Sequence, residues 1–382
     1  MKKKNTYKFK KIIRVCRTWP SENQNGVGLH AFFYSKYINI PTTIFVKDIK
    51  KKDNPVILDN ISMKTVNYRD ILLKKKKNNI LLLFLILITK ARGEIIMLIN
   101  LLFHLKRTQI KRIIHIHSAN FTLSGFLTSY IYKIPVVVQL GGTDILRMEK
   151  SVIHKFILKK IKYFICINDQ ISKKIKRINP KAKTLIVGNS ADLSLFKPSK
   201  KNKNLFVSVG NLRWQKDYST LISSFNIFLK KNPKATLLIF GEGPEREKLE
   251  NQIKYLNLED NIFLKGYCNQ KEIANALSKS YIYIQSSVSE GMPKSILEGV
   301  AAGCPIIATN VGSCKDFADK FGVCVEPNNP KDLSEAILKL FMNKELWNFY
   351  HQKCVNNRNQ FNWEKLVEKV SNFYDEIIPI NN

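Results

Sequence analysis

The chain has 382 residues, 45% of them hydrophobic and 24% charged, which is enough for two domains with their own cores and excludes a disordered or fibrous protein. Its seven cysteines are odd in number and scattered without a C-x-x-C pair, which argues against a disulfide scaffold or a zinc site and for reduced thiols in a cytoplasmic compartment. A net charge of +33 calls for an anionic partner: a membrane surface, a polyphosphate lipid or nucleic acid.

The N-terminus is basic and runs into Ile12-Ile13-Arg14-Val15, too short an apolar stretch for a signal peptide. A strand over Ile12–Cys16 leads into Asn25-Gly26-Val27-Gly28-Leu29-His30 and a helical run through Phe32, Phe33 and Tyr37. Two apolar runs follow between Asn78 and Arg107, flanked by Lys74–Lys77, Lys90, Arg92, Lys106 and Arg107. The longest unbroken one, Ile80 to Ile88, is about half of what crosses a bilayer. Two readings fit this stretch: a buried helix pair with solvated ends, or an interfacial segment lying on anionic lipid. Further strands are expected at Thr43–Val46, Ile113–His117, Val136–Leu140 and Phe164–Ile167.

The polar, Pro-bearing stretch Lys197–Asn204 reads as an interdomain link. Strands then recur at Leu205–Val209, Thr236–Phe240, Ile262–Leu264, Ile282–Gln285 and Ile306–Ala308, each followed by a helical segment. Such alternation predicts an α/β protein with parallel sheets, and ligands in these sheets bind at the carboxyl ends of the strands. The expected domains are 1–190, a link over 191–204, and 205–361, with a last helix from Asn362 to Ile377. Charge divides the same way: residues 1–190 hold 38 Lys and Arg against 9 Asp and Glu, and the remainder 25 against 21.

Ser289-Glu290-Gly291-Met292-Pro293-Lys294-Ser295-Ile296-Leu297-Glu298-Gly299 carries the most chemistry. A carboxylate ends a loop, and Pro293 suits the first position of a helix because its missing N–H has no partner there. The following N–H groups and the helix dipole make a seat for phosphate, with the charge of Lys294 beside it. Glu298 lies five residues past Pro293, roughly 7 Å along the axis. One carboxylate can grip a sugar hydroxyl and the other a ribose, with phosphates between. This E-x7-E pattern resembles the donor-site signature of retaining glycosyltransferases with two Rossmann-like domains, the GT-B type, and in particular the large bacterial group called family 4.

Other segments extend the resemblance. Val207–Asp217 is a strand breaking into a loop with Arg213 and Lys216, cations suited to a diphosphate leaving group. Lys216 falls on the family's lysine position, whereas the arginine position holds Asn211. Gly241-Glu242-Gly243-Pro244 resembles the family's G-x-G-P element and reads as a structural turn; Lys265-Gly266-Tyr267 matches the segment beside the nucleobase. In the first half, Gly26 and Gly28 resemble the flexible glycine loop near donor phosphate and acceptor, or form an ordinary tight turn. His117 falls on a strand-end histidine position, bordering the acceptor pocket or serving a structural role. Where the family shows H-G-[ST]-D, this chain has Gly141-Gly142-Thr143-Asp144, so Gly141 replaces the histidine and Asp144 remains an acceptor-side candidate.

The resemblance implies two doubly wound domains facing across a cleft, the last helix packing back on the first. It implies metal-independent transfer, without a cofactor, from a UDP- or GDP-linked sugar to a saccharide or lipid-linked acceptor of the cell envelope. Glu290, Lys216 and Arg213 would act on the reacting centre; Glu298, Met292, Pro293, Lys294, Gly266 and Gly28 would bind the donor. The expected place is the cytoplasm, peripheral to the inner face of the cell membrane, the basic half resting on anionic lipid. Three rival readings fit parts of the sequence: a donor-binding scaffold without turnover, which the loss of the histidine at Gly141 allows; a two-domain epimerase; and a nucleic-acid binder. The last finds no basic–aromatic module in the sequence, so no nucleic-acid partner is expected.

Overall fold

A computed structural model describes residues 10–16, 29–38, 40–47, 58, 61–66, 80–105, 111–117, 121–141, 144–145, 148 and 151–378. It divides into unit 1, Met1–Gly188 with Val367–Asn382, and unit 2, Asn189–Leu366.

Unit 1 is built on a seven-stranded parallel sheet. Its strands are β1 (Lys10–Cys16), β2 (Thr42–Lys47), β3 (Ile61–Val66), β4 (Lys111–Ile116), β5 (Val136–Leu140), β6 (Tyr163–Cys166) and β7 (Lys183–Ile186), in the order β3-β2-β1-β4-β5-β6-β7. The helices are α1 (Leu29–Tyr37), α2 (Ile80–Leu105), α3 (Thr122–Tyr132), α4 (Val152–Lys160) and α5 (Asp169–Ile178). The central strands are rich in buried apolar residues because helices cover both faces of a parallel sheet, and β5 is buried at every residue. The edge strands β3 and β7, not expected from the sequence, are partly exposed and lack such a run. Ser151 caps α4 by accepting from the His154 N–H, and Asn168 caps α5 by accepting from Ile171.

The stretch read as a helix pair is one helix, α2. Gly93 costs it about 1 kcal/mol of propensity. Packing offsets that: Met97, Leu101 and Leu105 enter the core, and Glu94 accepts from the Ser124 N–H at the start of α3, at 2.9 Å. The flanks Lys74–Lys77, Lys106 and Arg107 lie outside the described residues. Among the described residues no helix is long and apolar enough to cross a membrane.

Unit 2 carries a six-stranded parallel sheet of β8 (Asn202–Val209), β9 (Thr236–Phe240), β10 (Ile262–Gly266), β11 (Ser280–Gln285), β12 (Ile306–Thr309) and β13 (Gly322–Val325), in the order β10-β9-β8-β11-β12-β13. Its helices are α6 (Tyr218–Leu229), α7 (Arg246–Tyr255), α8 (Gln270–Lys279), α9 (Lys294–Ala301), α10 (Cys314–Phe321), α11 (Pro330–Met342) and α12 (Lys344–Asn357); α13 (Trp363–Ile377) then carries the chain back into unit 1. One face of the sheet packs Phe206 among Phe225, Phe228 and Phe341; the other packs Val207 and Tyr283 against Leu297 and Val300. Each such fully buried side chain contributes about 1.5–3 kcal/mol. Residues 191–204, read as a link, are built into unit 2: Ala191 bridges Asn362, Phe196 is fully buried, and β8 begins at Asn202.

Candidate active site

In both sheets the strand order reverses direction once, between β1 and β4 and between β8 and β11. Loops at such a switch point diverge and leave a crevice at the carboxyl ends of the strands. In unit 2 these are the loop after β8, with Arg213 and Lys216, and the loop after β11, with Glu290.

Glycines let the strand-end loops of β8, β9 and β10 touch. The Gly210 N–H donates to Phe240 O (2.9 Å), Leu212 to Glu242 O (3.0 Å), and Gly241 to Gly266 O (2.9 Å). A Cβ on Gly243 would stand 2.2 Å from the Leu212 carbonyl oxygen, so the G-x-G-P element acts as a structural close approach. Gly266 ends β10 at φ +71, in the left-handed region, where a Cβ would meet the Glu242 carboxylate at 2.9 Å. At Gly210 a Cβ would collide with the stem of Lys216 (2.8 Å to Cε), so the lysine lies directly over the end of β8.

Lys216 Nζ forms an ion pair with Glu290 Oε1, both side chains being largely buried, 18% and 15% exposed. Four residues into α9, Glu298 is 3% exposed and pairs with Lys294 Nζ at 2.7 Å. The expected donor residues thus form two neutral pairs, and the Lys294 charge is held by Glu298. Pro293 takes the N-cap, not the first helical position: its backbone is extended (φ −71, ψ 120) and α9 begins at Lys294. Met292 is held by Asn189, whose side-chain N–H donates to Met292 O at 2.6 Å. Ser313 donates to Gly291 O from its backbone (3.2 Å) and hydroxyl (2.8 Å), bracing the loop from the far side. Arg213 stands apart, exposed, and lines a cavity of about 500 Å³ with Trp214, Asp217, Lys248, Ser289 and Asn328.

Beneath Glu290 runs a polar column that the sequence reading missed. The Tyr283 hydroxyl donates to Gln285 Oε1 (2.5 Å), as does Ser295 (3.2 Å); Gln285 Nε2 donates to Ser287 Oγ (2.6 Å), and Ser287 donates to Glu290 Oε1 (3.3 Å). Burial holds the Tyr283 and Tyr218 phenols far above their ordinary range, so both act as donors, Tyr218 to the Gly210 carbonyl at 3.1 Å. The available sequence signal was a run of three polar residues, Gln285 to Ser287, at the end of a largely apolar strand.

In unit 1, Arg14 is fully buried on β1, a placement that apolar patterning did not indicate. Its Nη1 lies 3.0 Å from His115 Nδ1 and 3.3 Å from His117 Nε2, and donates to the Tyr374 hydroxyl of α13 at 3.0 Å. The His115 and His117 rings lie side by side there, centroids 3.9 Å apart and planes tilted by 31°. Asp144 Oδ2 accepts from the Gly141 N–H at 3.0 Å and closes the turn after β5. Gly26 and Gly28 lie outside the described residues.

Residues 191–359 match the family model for glycosyl transferases group 1. An uncharacterized glycosyltransferase of Methanocaldococcus jannaschii is 29% identical over 260 residues, 66% of this chain and 72% of that protein. The UDP-Gal:alpha-D-GlcNAc-diphosphoundecaprenol alpha-1,3-galactosyltransferase of Escherichia coli is 26% identical over 311 residues, 72% of this chain and 78% of that one. Sucrose-phosphate synthase from Thermosynechococcus elongatus superposes with a TM-score of 0.77 at 15% identity, over 96% of this chain and 99% of its own. That likeness speaks to fold: two parallel sheets with alternating helices, as in GT-B glycosyltransferases. The group 1 match in unit 2 and these relatives make the chain a glycosyltransferase.

Proposed function

We propose that the chain moves a sugar from a nucleotide sugar to a lipid-linked or saccharide acceptor of the cell envelope, with retention at the anomeric carbon and without a metal ion, at the cytoplasmic face of the membrane. The observation that carries this reading is the Lys216–Glu290 pair at the switch point of unit 2, one loop turn before the N-terminus of α9. A diphosphate is the ligand this arrangement suits: a lysine charge and a helix dipole converge where negative charge grows as the bond from anomeric carbon to phosphate breaks. Lys216 and the backbone at Met292–Lys294 take the diphosphate, Glu290 turns to a sugar hydroxyl, and Glu298 holds the ribose. Arg213 reaches the phosphates from the neighbouring cavity. Unit 1 receives the acceptor. The Escherichia coli relative, whose name gives a UDP-sugar donor and a diphosphoundecaprenol-linked acceptor, supports both ends of the reaction.

Thermal unfolding with UDP, GDP, ADP and their sugars tests it, on the wild type and on Glu298→Ala. A nucleotide at ~100 times its dissociation constant adds about 2.7 kcal/mol to stability. One nucleotide should raise the transition, and the variant should lose that rise. No rise with any nucleotide at millimolar concentration removes the donor site and the reading with it.

A further inference from the structure

We infer that the cavity beside Trp214 is a site for a neutral saccharide on unit 2, separate from the donor site. The inference goes beyond the transfer reaction and does not rest on it. At about 500 Å³ the cavity falls within the range of small-molecule pockets, roughly 300–1,000 Å³. It lies at the carboxyl ends of the strands, between the loop after β8 and the first turns of α6 and α7. Both helices pack on the sheet face of Phe206, whereas α9 packs on the opposite face. Lys216 and Glu290 do not line it. The loops that carry them are sewn together: the Val288 N–H donates to Gln215 O at 2.9 Å, and the Ser286 hydroxyl to Lys216 O at 2.8 Å.

The walls are fixed before any ligand arrives. The Leu212 N–H donates to Glu242 O (3.0 Å) and the Glu245 N–H to Leu212 O (3.1 Å), which holds the start of α7 against the loop of Trp214. Trp214 opens a single 3-10 turn, Trp214–Lys216, and the Asp217 N–H donates to Trp214 O at 3.2 Å. Asp217 holds φ +46, in the left-handed region, and its Oδ1 accepts from the Thr220 N–H at 3.3 Å. The turn is pinned on both sides, yet its indole is 64% exposed. A rigid aromatic ring on a cavity wall offers a large contact area at little cost in entropy.

The lining selects the ligand. A chain with 63 Lys and Arg against 30 Asp and Glu places two of each around this cavity: Arg213 and Lys248, Asp217 and Glu245. The two helix starts that would draw an anion carry those acids, since Asp217 caps α6 and Glu245 stands at the N-cap of α7. A phosphate therefore meets no net charge. Glu245 and Lys248 pair at 3.4 Å in a largely exposed bridge, worth little, so both can turn to a ligand. With Ser219, Ser289 and Asn328 they supply donors and acceptors in equal measure, which suits hydroxyl groups that do both. The indole suits the C–H face of a pyranose ring. A neutral saccharide answers both demands.

Saturation-transfer NMR and tryptophan fluorescence of the full chain with maltotriose, cellotriose, mannotriose and chitotriose test the inference. At least one should bind the wild type at millimolar concentration, and UDP, GDP or ADP should not displace it. Trp214→Ala should weaken that binding at least tenfold and Trp214→Phe about threefold. Both variants should keep the wild-type unfolding transition, since the side chain is exposed. Absence of binding by all four sugars overturns the inference, as does binding that Trp214→Ala leaves unchanged. Displacement of the sugar by a nucleoside diphosphate would assign it to the donor site and equally overturn it.

Discussion

The pairing of Lys216 with Glu290 makes a prediction in which binding and turnover move in opposite directions. The carboxylate occupies the lysine that the proposed donor site assigns to the diphosphate. Two charges about 4 Å apart at an effective dielectric of 20 attract by about 4 kcal/mol before desolvation. At 18% and 15% exposure the pair sits between a surface bridge, worth 0–1 kcal/mol, and a buried one, whose breaking costs about 3–5 kcal/mol, so a net of about 1–3 kcal/mol follows. Glu290→Gln releases the lysine and should tighten binding of the bare nucleoside diphosphate about tenfold, while transfer from the nucleotide sugar slows by at least tenfold for want of the sugar contact. Lys216→Met should weaken the diphosphate by about 10- to 100-fold, the worth of one charge-assisted hydrogen bond. Titration calorimetry with the nucleotide found in the thermal screen, beside initial rates with its sugar, reads both numbers. If Glu290→Gln weakens the bare diphosphate as much as Lys216→Met does, Glu290 is itself a phosphate-site residue and the competition does not exist.

Three further outcomes follow from other parts of the structure. Gly243→Ala pushes a Cβ against the Leu212 carbonyl and should cost about 2–4 kcal/mol and shift the loop of Lys216; a melt within 1 °C of the wild type, with unchanged nucleotide binding, would refute that close approach. Gln285→Leu strands the Tyr283 and Ser295 hydroxyls, removes the donor to Ser287 and should cost about 2–4 kcal/mol; where the chain stays folded, kcat should fall more than KM rises, and an equal loss in both would show that the column does not position Glu290. Burial raises the Glu94 carboxyl to about 7 against an ordinary 4.5, only partly opposed by hydrogen bonds from Ser124 and Leu123. The folded state therefore binds the proton more tightly, and this group's contribution to stability is present at low pH and lost as pH rises from 4.5 through 7, by at most about 3 kcal/mol. Glu94→Gln should remove that slope in urea titrations between pH 5 and 8, and parallel wild-type and variant profiles would contradict it.

The alternation of apolar strands with helical runs determined by itself that two parallel sheets would form, because a strand covered on both faces must be apolar at nearly every residue. The E-x7-E spacing and the strand-to-loop break before Lys216 likewise marked two loops that the fold brings together at the switch point, since a carboxylate, a proline and a helix start are local features. Edge strands escaped because partial exposure removes that run: β3 and β7 are read only from their pairing with β2 and β6. Which charges meet is also tertiary. Glu290 is 74 residues from Lys216, and only the switch point between β8 and β11 brings them together. Arg14 and Tyr374 are 360 residues apart and meet because the last helix returns to unit 1. Helix α2 shows the same division. The sequence made that helix apolar, but only the packed sheet decided that Met97, Leu101 and Leu105 were buried while Ile95, Ile99 and Phe103 were left to water.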